Sequence, residues 1–173
     1  MNQYTVGDWD DEKQAGDAFD LAISNDPRFS SVYREVKGIY SAKSPHDLPP
    51  EPRIDRVLIP SKKLRNAGWL HGPIGVEIKA PGNKIGAAVA QCIDYSHAQF
   101  EVMPGFHMSM GFIFLFACRP TRGDLDSIMV QNRIGTANVT PLNELVFFRG
   151  SRKVVSIEEP DRSFITFRKV GSR

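Results

Sequence analysis

Arg53-Ile54-Asp55-Arg56-Val57-Leu58-Ile59-Pro60, then a loop, then Gly75-Val76-Glu77-Ile78-Lys79 and a run holding Gln91 and Tyr95: the reading of this stretch decides the fold. Both apolar segments carry charged side chains that an ordinary core strand avoids. Alternate residues of a strand share a face. Glu77 and Lys79 therefore point one way, while Val76 and Ile78 pack the other way. Asp55 shares its face with Val57 and Ile59, not with Ile54 and Arg56. If the two strands pair, an aspartate, a glutamate and a lysine converge at one spot, the outline of a site for a metal ion and a water.

The rest of the composition sets the class. With 173 residues, 41% hydrophobic and 24% charged, the chain reads as one globular domain with a core of its own. A net charge of +2 decides little, but its distribution is uneven. The first fifty residues are acid-rich (Asp8, Asp10, Asp11, Glu12, Asp17, Asp20, Asp26) and the tail is basic (Arg149, Arg152, Lys153, Arg162, Arg168, Lys169, Arg173). A basic segment can track phosphates, and a merely solvated surface explains the tail equally well. Cys92 and Cys118 sit far apart in apolar settings and read as small buried hydrophobes, not a disulfide framework. The N-terminus has no basic segment followed by an apolar one, and the longest apolar run is too short to span a bilayer. The expectation is an intracellular, cytoplasmic protein.

Outward from the central stretch, residues 8–24 form a helix with acids in its first turn, ended by Asp26-Pro27. Residues 30–40 read as a strand, and the four prolines of residues 44–52 as a loop. Strand 53–59 leads into residues 61–73, basic and long for a hairpin loop, read as a short helix or a substrate-contacting loop through Lys62, Lys63 and Arg65. Strand 74–80 is followed by a helix over 83–100 and by a strand over 110–118 covered on both faces. A helix over 124–133 and strands at 145–148, 154–157 and 164–167 complete the chain, with residues 149–152 as a turn. The result is an α/β fold: a central mixed β-sheet flanked by helices, a single domain over 1–173.

Carboxylate oxygens from adjacent strands suit a hard divalent cation such as Mg²⁺ or Mn²⁺. Such an ion polarises a phosphate oxygen and acidifies bound water, and a neighbouring lysine orients that water or offsets developing charge. Asp55, then Glu77-Ile78-Lys79 closing an apolar strand before a helix, resembles the PD-(D/E)xK nuclease superfamily. Gln91-Cys92-Ile93-Asp94-Tyr95 further resembles the Gln-x-x-x-Tyr motif of its RecB-like and lambda-exonuclease-like branches.

The resemblance spans about residues 10–118 and leaves a β-rich extension, about 121–173, outside it. Arg53-Ile54 stand where the family's name places a proline. The resemblance implies a restriction-endonuclease-like core and a metal-dependent deoxyribonuclease. Asp55, Glu77 and the Ile78 carbonyl would be metal ligands, Lys79 the catalytic lysine, and Gln91 and Tyr95 positioning residues. An extra acid would come from Glu12, or alternatively Glu35. DNA is the implied partner, and pairing of two copies is common among single-domain members.

Blander readings stand beside these. Glu77 and Lys79 fit an exposed-strand ion pair, Asp55 a partner for Arg53, and Gln91–Tyr95 an ordinary helix-side contact. On those terms the chain is a catalytically silent nucleic-acid-binding or assembly module, or a structural protein with an accidental motif.

Overall fold

A computed structural model describes residues 9–40, 51–80, 84–116 and 123–158. In chain order the described elements are α1 (Glu12–Ile23), β1 (Phe29–Tyr40), β2 (Arg53–Pro60), α2 (Lys62–Asn66), β3 (Ile74–Ile78), α3 (Ile85–Ser96), β4 (Ala98–Met103), β5 (Phe106–Ser109), β6 (Phe112–Phe116), α4 (Asp124–Gln131), β7 (Ile134–Val139), β8 (Leu145–Arg149) and β9 (Arg152–Val154). The strands form one mixed sheet in the order β5-β4-β1-β2-β3-β6-β7-β8-β9. The fold is α/β.

β1, β2 and β3 run as an antiparallel meander. The chain then crosses through α3 and the β4–β5 hairpin to reach β6, which pairs parallel with β3, and β7 pairs parallel with β6. Such parallel strands need a long crossover and are covered on both faces. Every residue of β3 and of β6 is accordingly buried. On one face α1 lays Ala15, Phe19 and Ile23, residues at i, i+4 and i+8, onto Leu58, Ile74, Val76, Ile78 and Phe116. On the other, Ala88, Val89 and Cys92 of α3 and Met129 of α4 cover Val57, Ile113, Leu115 and Ile134. α1 is started by Asp11, whose carboxylate accepts the Gln14 N–H at 2.8 Å, with Glu12 in the favourable first turn.

Four differences from the sequence reading have physical causes. The expected helix over 83–100 stops at Ser96, because Ala98, Phe100 and Val102 alternate inward as β4. Pro104-Gly105 then turns the chain into β5, with Gly105 at φ 76. β7, unanticipated, buries Thr136 and Asn138, polar residues that disguise a central strand. The strands after residue 121 do not stand apart as an extension: β7, β8 and β9 continue the same sheet. β9 takes in Arg152 and Lys153, which were expected in a turn and beyond it. The expected strand at 164–167 and Cys118 lie outside the described residues. Among the described residues no helix is long and apolar enough to cross a membrane.

Candidate metal and phosphate site

β2 and β3 pair Leu58 with Ile74, Val57 with Gly75 and Arg56 with Val76. One step further this register sets Asp55 against Glu77, but the main-chain ladder stops short of it. There Asp55 Oδ2 accepts the Ile78 N–H at 2.7 Å, a side-chain carboxylate standing where a backbone carbonyl would. The strands part at this end, and their charged residues meet in the gap.

Glu77 lies on the α3 face and is 2% exposed. Its Oε1 accepts from Lys79 Nζ at 2.7 Å, while its buried Oε2 has no hydrogen-bond partner. Lys79 sits just past the strand, anchored by its N–H to the Phe116 carbonyl at 3.2 Å, and its ammonium lies 3.7 Å from Glu12 Oε1 of α1. From α3, Gln91 Nε2 donates to the Tyr95 hydroxyl, which donates to the Arg53 carbonyl, both at 2.6 Å. The two motif residues thus latch α3 onto β2 two residues before Asp55; they position the strand and stand behind the acids.

Burial governs the electrostatics. Glu77 is pushed up to about 7, first by desolvation and then by Asp55, which together outweigh the contact with Lys79. Asp55 is raised as well, again chiefly by burial, against the opposing Ile78 N–H and Lys79 and with help from Glu35 and Glu12. For Lys79 burial pulls downward, but Glu77, then Glu12 and Asp55, more than reverse it and the ammonium is held. Tyr95 is pushed up to about 12 by burial and the charge of Glu77, so its hydroxyl stays protonated and remains a donor. Two crowded carboxylates that resist ionising together, one with an orphaned oxygen, are hard oxygen donors of the type a divalent cation takes, but they number only two.

The structure sorts the expected residues. Asp55, Glu77 and Lys79 come together; Asp55 does not pair with Arg53, which pairs with Glu35. Among the described residues no group of three or more His, Cys, Asp or Glu side chains is placed to hold a metal ion. Glu12 therefore does not complete a three-acid set, because it reaches the Lys79 ammonium instead. Glu35 stands outside it too, turned toward Arg53 and Arg56 by a left-handed backbone at φ 51.

Lys62, Lys63 and Arg65 are not brought to this cluster. They follow the far end of β2, about 20 Å along the strand from Asp55. Arg65 is spent on the Pro60 carbonyl at 2.6 Å. An antiparallel pair puts its connecting loop at the end opposite residues 55 and 77, a signal already available in the sequence. A groove of about 540 Å³ also lies elsewhere, at the C-terminal end of α1, lined by Leu21, Asp26, Leu145 and Ile157 among others.

Arg56 and Asp20 were not singled out by sequence. Arg56 is 8% exposed and grips Asp20 of α1 with Nε to Oδ1 at 2.8 Å and Nη2 to Oδ2 at 2.9 Å. No family model matches the chain, and no curated protein or solved structure matches it either.

Proposed function

We propose that this chain is a metal-dependent deoxyribonuclease with a restriction-endonuclease-like core of the PD-(D/E)xK type. The observation that carries the reading is the convergence of Asp55, Glu77 and Lys79 at the parted end of two paired strands, with Glu77 Oε2 buried and unpartnered. The order of helix, three-strand meander, helix and parallel strand supports the same reading of the core.

Asp55 and Glu77 would hold Mg²⁺ or Mn²⁺, with the Ile78 carbonyl adjacent. A divalent ion held there supplies Lewis-acid polarisation of a phosphate oxygen and a more acidic water. Lys79, kept as an ammonium by its acidic neighbours, acts by charge: it offsets the negative charge that grows on the phosphoryl oxygens and orients the attacking water. Water oxygen bonds to phosphorus as one ester P–O bond breaks; the water gives up a proton to solvent and the leaving oxygen takes one up, leaving a phosphate monoester and a free hydroxyl. The Ile78 N–H fixes the Asp55 carboxylate, and the Gln91–Tyr95–Arg53 chain fixes the strand that bears it.

The test is incubation of the purified chain with linear, nicked, branched and single-stranded DNA, with Mg²⁺ or Mn²⁺ or with chelator. Cleavage that needs the metal and disappears in Asp55→Ala is the expected result. DNA left intact under every condition defeats the enzymatic reading. One observation favours a second reading, a silent nucleic-acid-binding module: no third acid joins Asp55 and Glu77 among the described residues. DNA retention without cleavage and without a metal-dependent thermal shift would select it.

A further inference from the structure

One stripe of α1 faces the parted strands. Glu12, Gly16 and Asp20 are spaced i, i+4 and i+8 and so lie on one side of the helix. Glu12 approaches Lys79 at 3.7 Å and Asp20 receives the Arg56 fork. Between them Gly16 lies over the Arg56 guanidinium and Ile78, where an added Cβ would sit 3.7 Å from Arg56 Nη2 and 3.8 Å from Ile78 Cδ1.

Arg56 does more than join helix to sheet. Its Nη1 donates to the carbonyl of Asp55 at 2.8 Å, the residue before it, and lies 3.8 Å from Glu35 Oε1. The Asp55 residue is therefore held twice: its main-chain carbonyl by Arg56, its side-chain carboxylate by the Ile78 N–H. A buried ion pair adds little net stability over apolar packing of the same volume, so stability is a poor reason for a guanidinium here. Its placement at the end of the β2–β3 ladder, next to Asp55, is a better one.

We infer that the Arg56–Asp20 fork is a positioning clamp. By holding the Asp55 carbonyl, which points away from β3, it fixes the main chain at Asp55 so that the carboxylate reaches the Ile78 N–H and is aimed at Glu77. The consequence for catalysis rests on the nuclease reading; the geometric claim does not.

Two variants test it. Arg56→Lys keeps the charge and loses the fork; Asp20→Asn keeps the shape and loses the ion pairs with Arg56 and Arg34. Amide hydrogen exchange of the metal-free protein reads the clamp directly. Exchange at Ile78 is expected to rise about tenfold through easier local opening, while Phe114 and Leu115 in the sheet centre stay protected. In the DNA assay kcat is expected to fall about 100-fold, the loss that a small misplacement produces, with KM for DNA unchanged. A lower melting temperature with Ile78 exchange and kcat retained would reduce Arg56 to a structural brace and overturn the proposal. If the wild-type chain cleaves no DNA, the nuclease reading falls, and Ile78 exchange alone still decides for or against the clamp.

Discussion

Replacing Glu77 by glutamine should make the protein more stable as the pH rises, relative to wild type. In the folded chain Glu77 titrates at about 7, against an ordinary value of 4.5. Between those two pH values the folded protein keeps a proton that the unfolded chain has released. Wild-type stability is thus intact near pH 4.5, falls as the pH climbs through 7, and stays reduced above it. At about 1.4 kcal/mol for each pH unit of that gap, ionising Glu77 costs about 3 kcal/mol, the influence of Lys79 included. Glutamine is neutral throughout and escapes this loss.

Thermal unfolding of both proteins in chelator from pH 4.5 to pH 8 checks the claim. The melting temperature of Glu77→Gln should gain about 6–12 °C on wild type across that range, at about 2–4 °C per kcal/mol for a chain of this size. Metal-dependent cleavage should be lost in the same variant, the exchange of stability for activity seen at strained sites. A gap that stays constant, or moves the other way, would mean the Lys79 contact dominates and Glu77 is a structural ion-pair member.

Other outcomes follow from the same geometry. Tyr95→Phe removes the hydroxyl between Gln91 and the Arg53 carbonyl, and denaturant unfolding should show a loss of about 1–3 kcal/mol; an unchanged midpoint would show that the latch contributes nothing. Gly111→Ala would put a methyl carbon 1.4 Å from the His71 carbonyl oxygen, a main-chain atom that cannot yield. Expression of that variant should give little folded protein, and a wild-type melting curve would contradict this close approach of the two main-chain segments. Because a cation competes with the proton on Glu77, the thermal shift produced by Mn²⁺ should grow between pH 5 and pH 8; a shift independent of pH would place the ion elsewhere.

The sequence carried the centre of the fold better than its margins. Strand parity alone separates Glu77 and Lys79 from Val76 and Ile78, and the structure packs Val76 and Ile78 against α1 while Glu77 faces α3. The continuous apolar run at 112–116 reads as a strand covered twice, and every residue of it is buried. The β4–β5 hairpin is harder to see, since Val89, Cys92 and Tyr95, spaced three apart, run straight on to Ala98, which extends a helix as well as it begins a strand. β7 hides behind Thr136 and Asn138, whose polarity argues for a surface although both are buried. Arg56 hides for the opposite reason: arginine is a surface residue by default, and only tertiary structure supplies Asp20 to pair with it. The remote position of Lys62, Lys63 and Arg65 was within reach, because it follows from which end of a hairpin bears the loop.

β3 has one neighbour, β2, immediately before it in the chain and the other, β6, only after residue 111. A ribosome adding about 5–20 residues per second leaves β3 half-paired for several seconds. Throughout that interval the nascent chain presents an open edge flanked by Ile74, Val76 and Ile78, the kind of edge that recruits strands from other molecules. The segment bearing Glu77 is therefore also one that depends on a late-synthesised strand to close its edge.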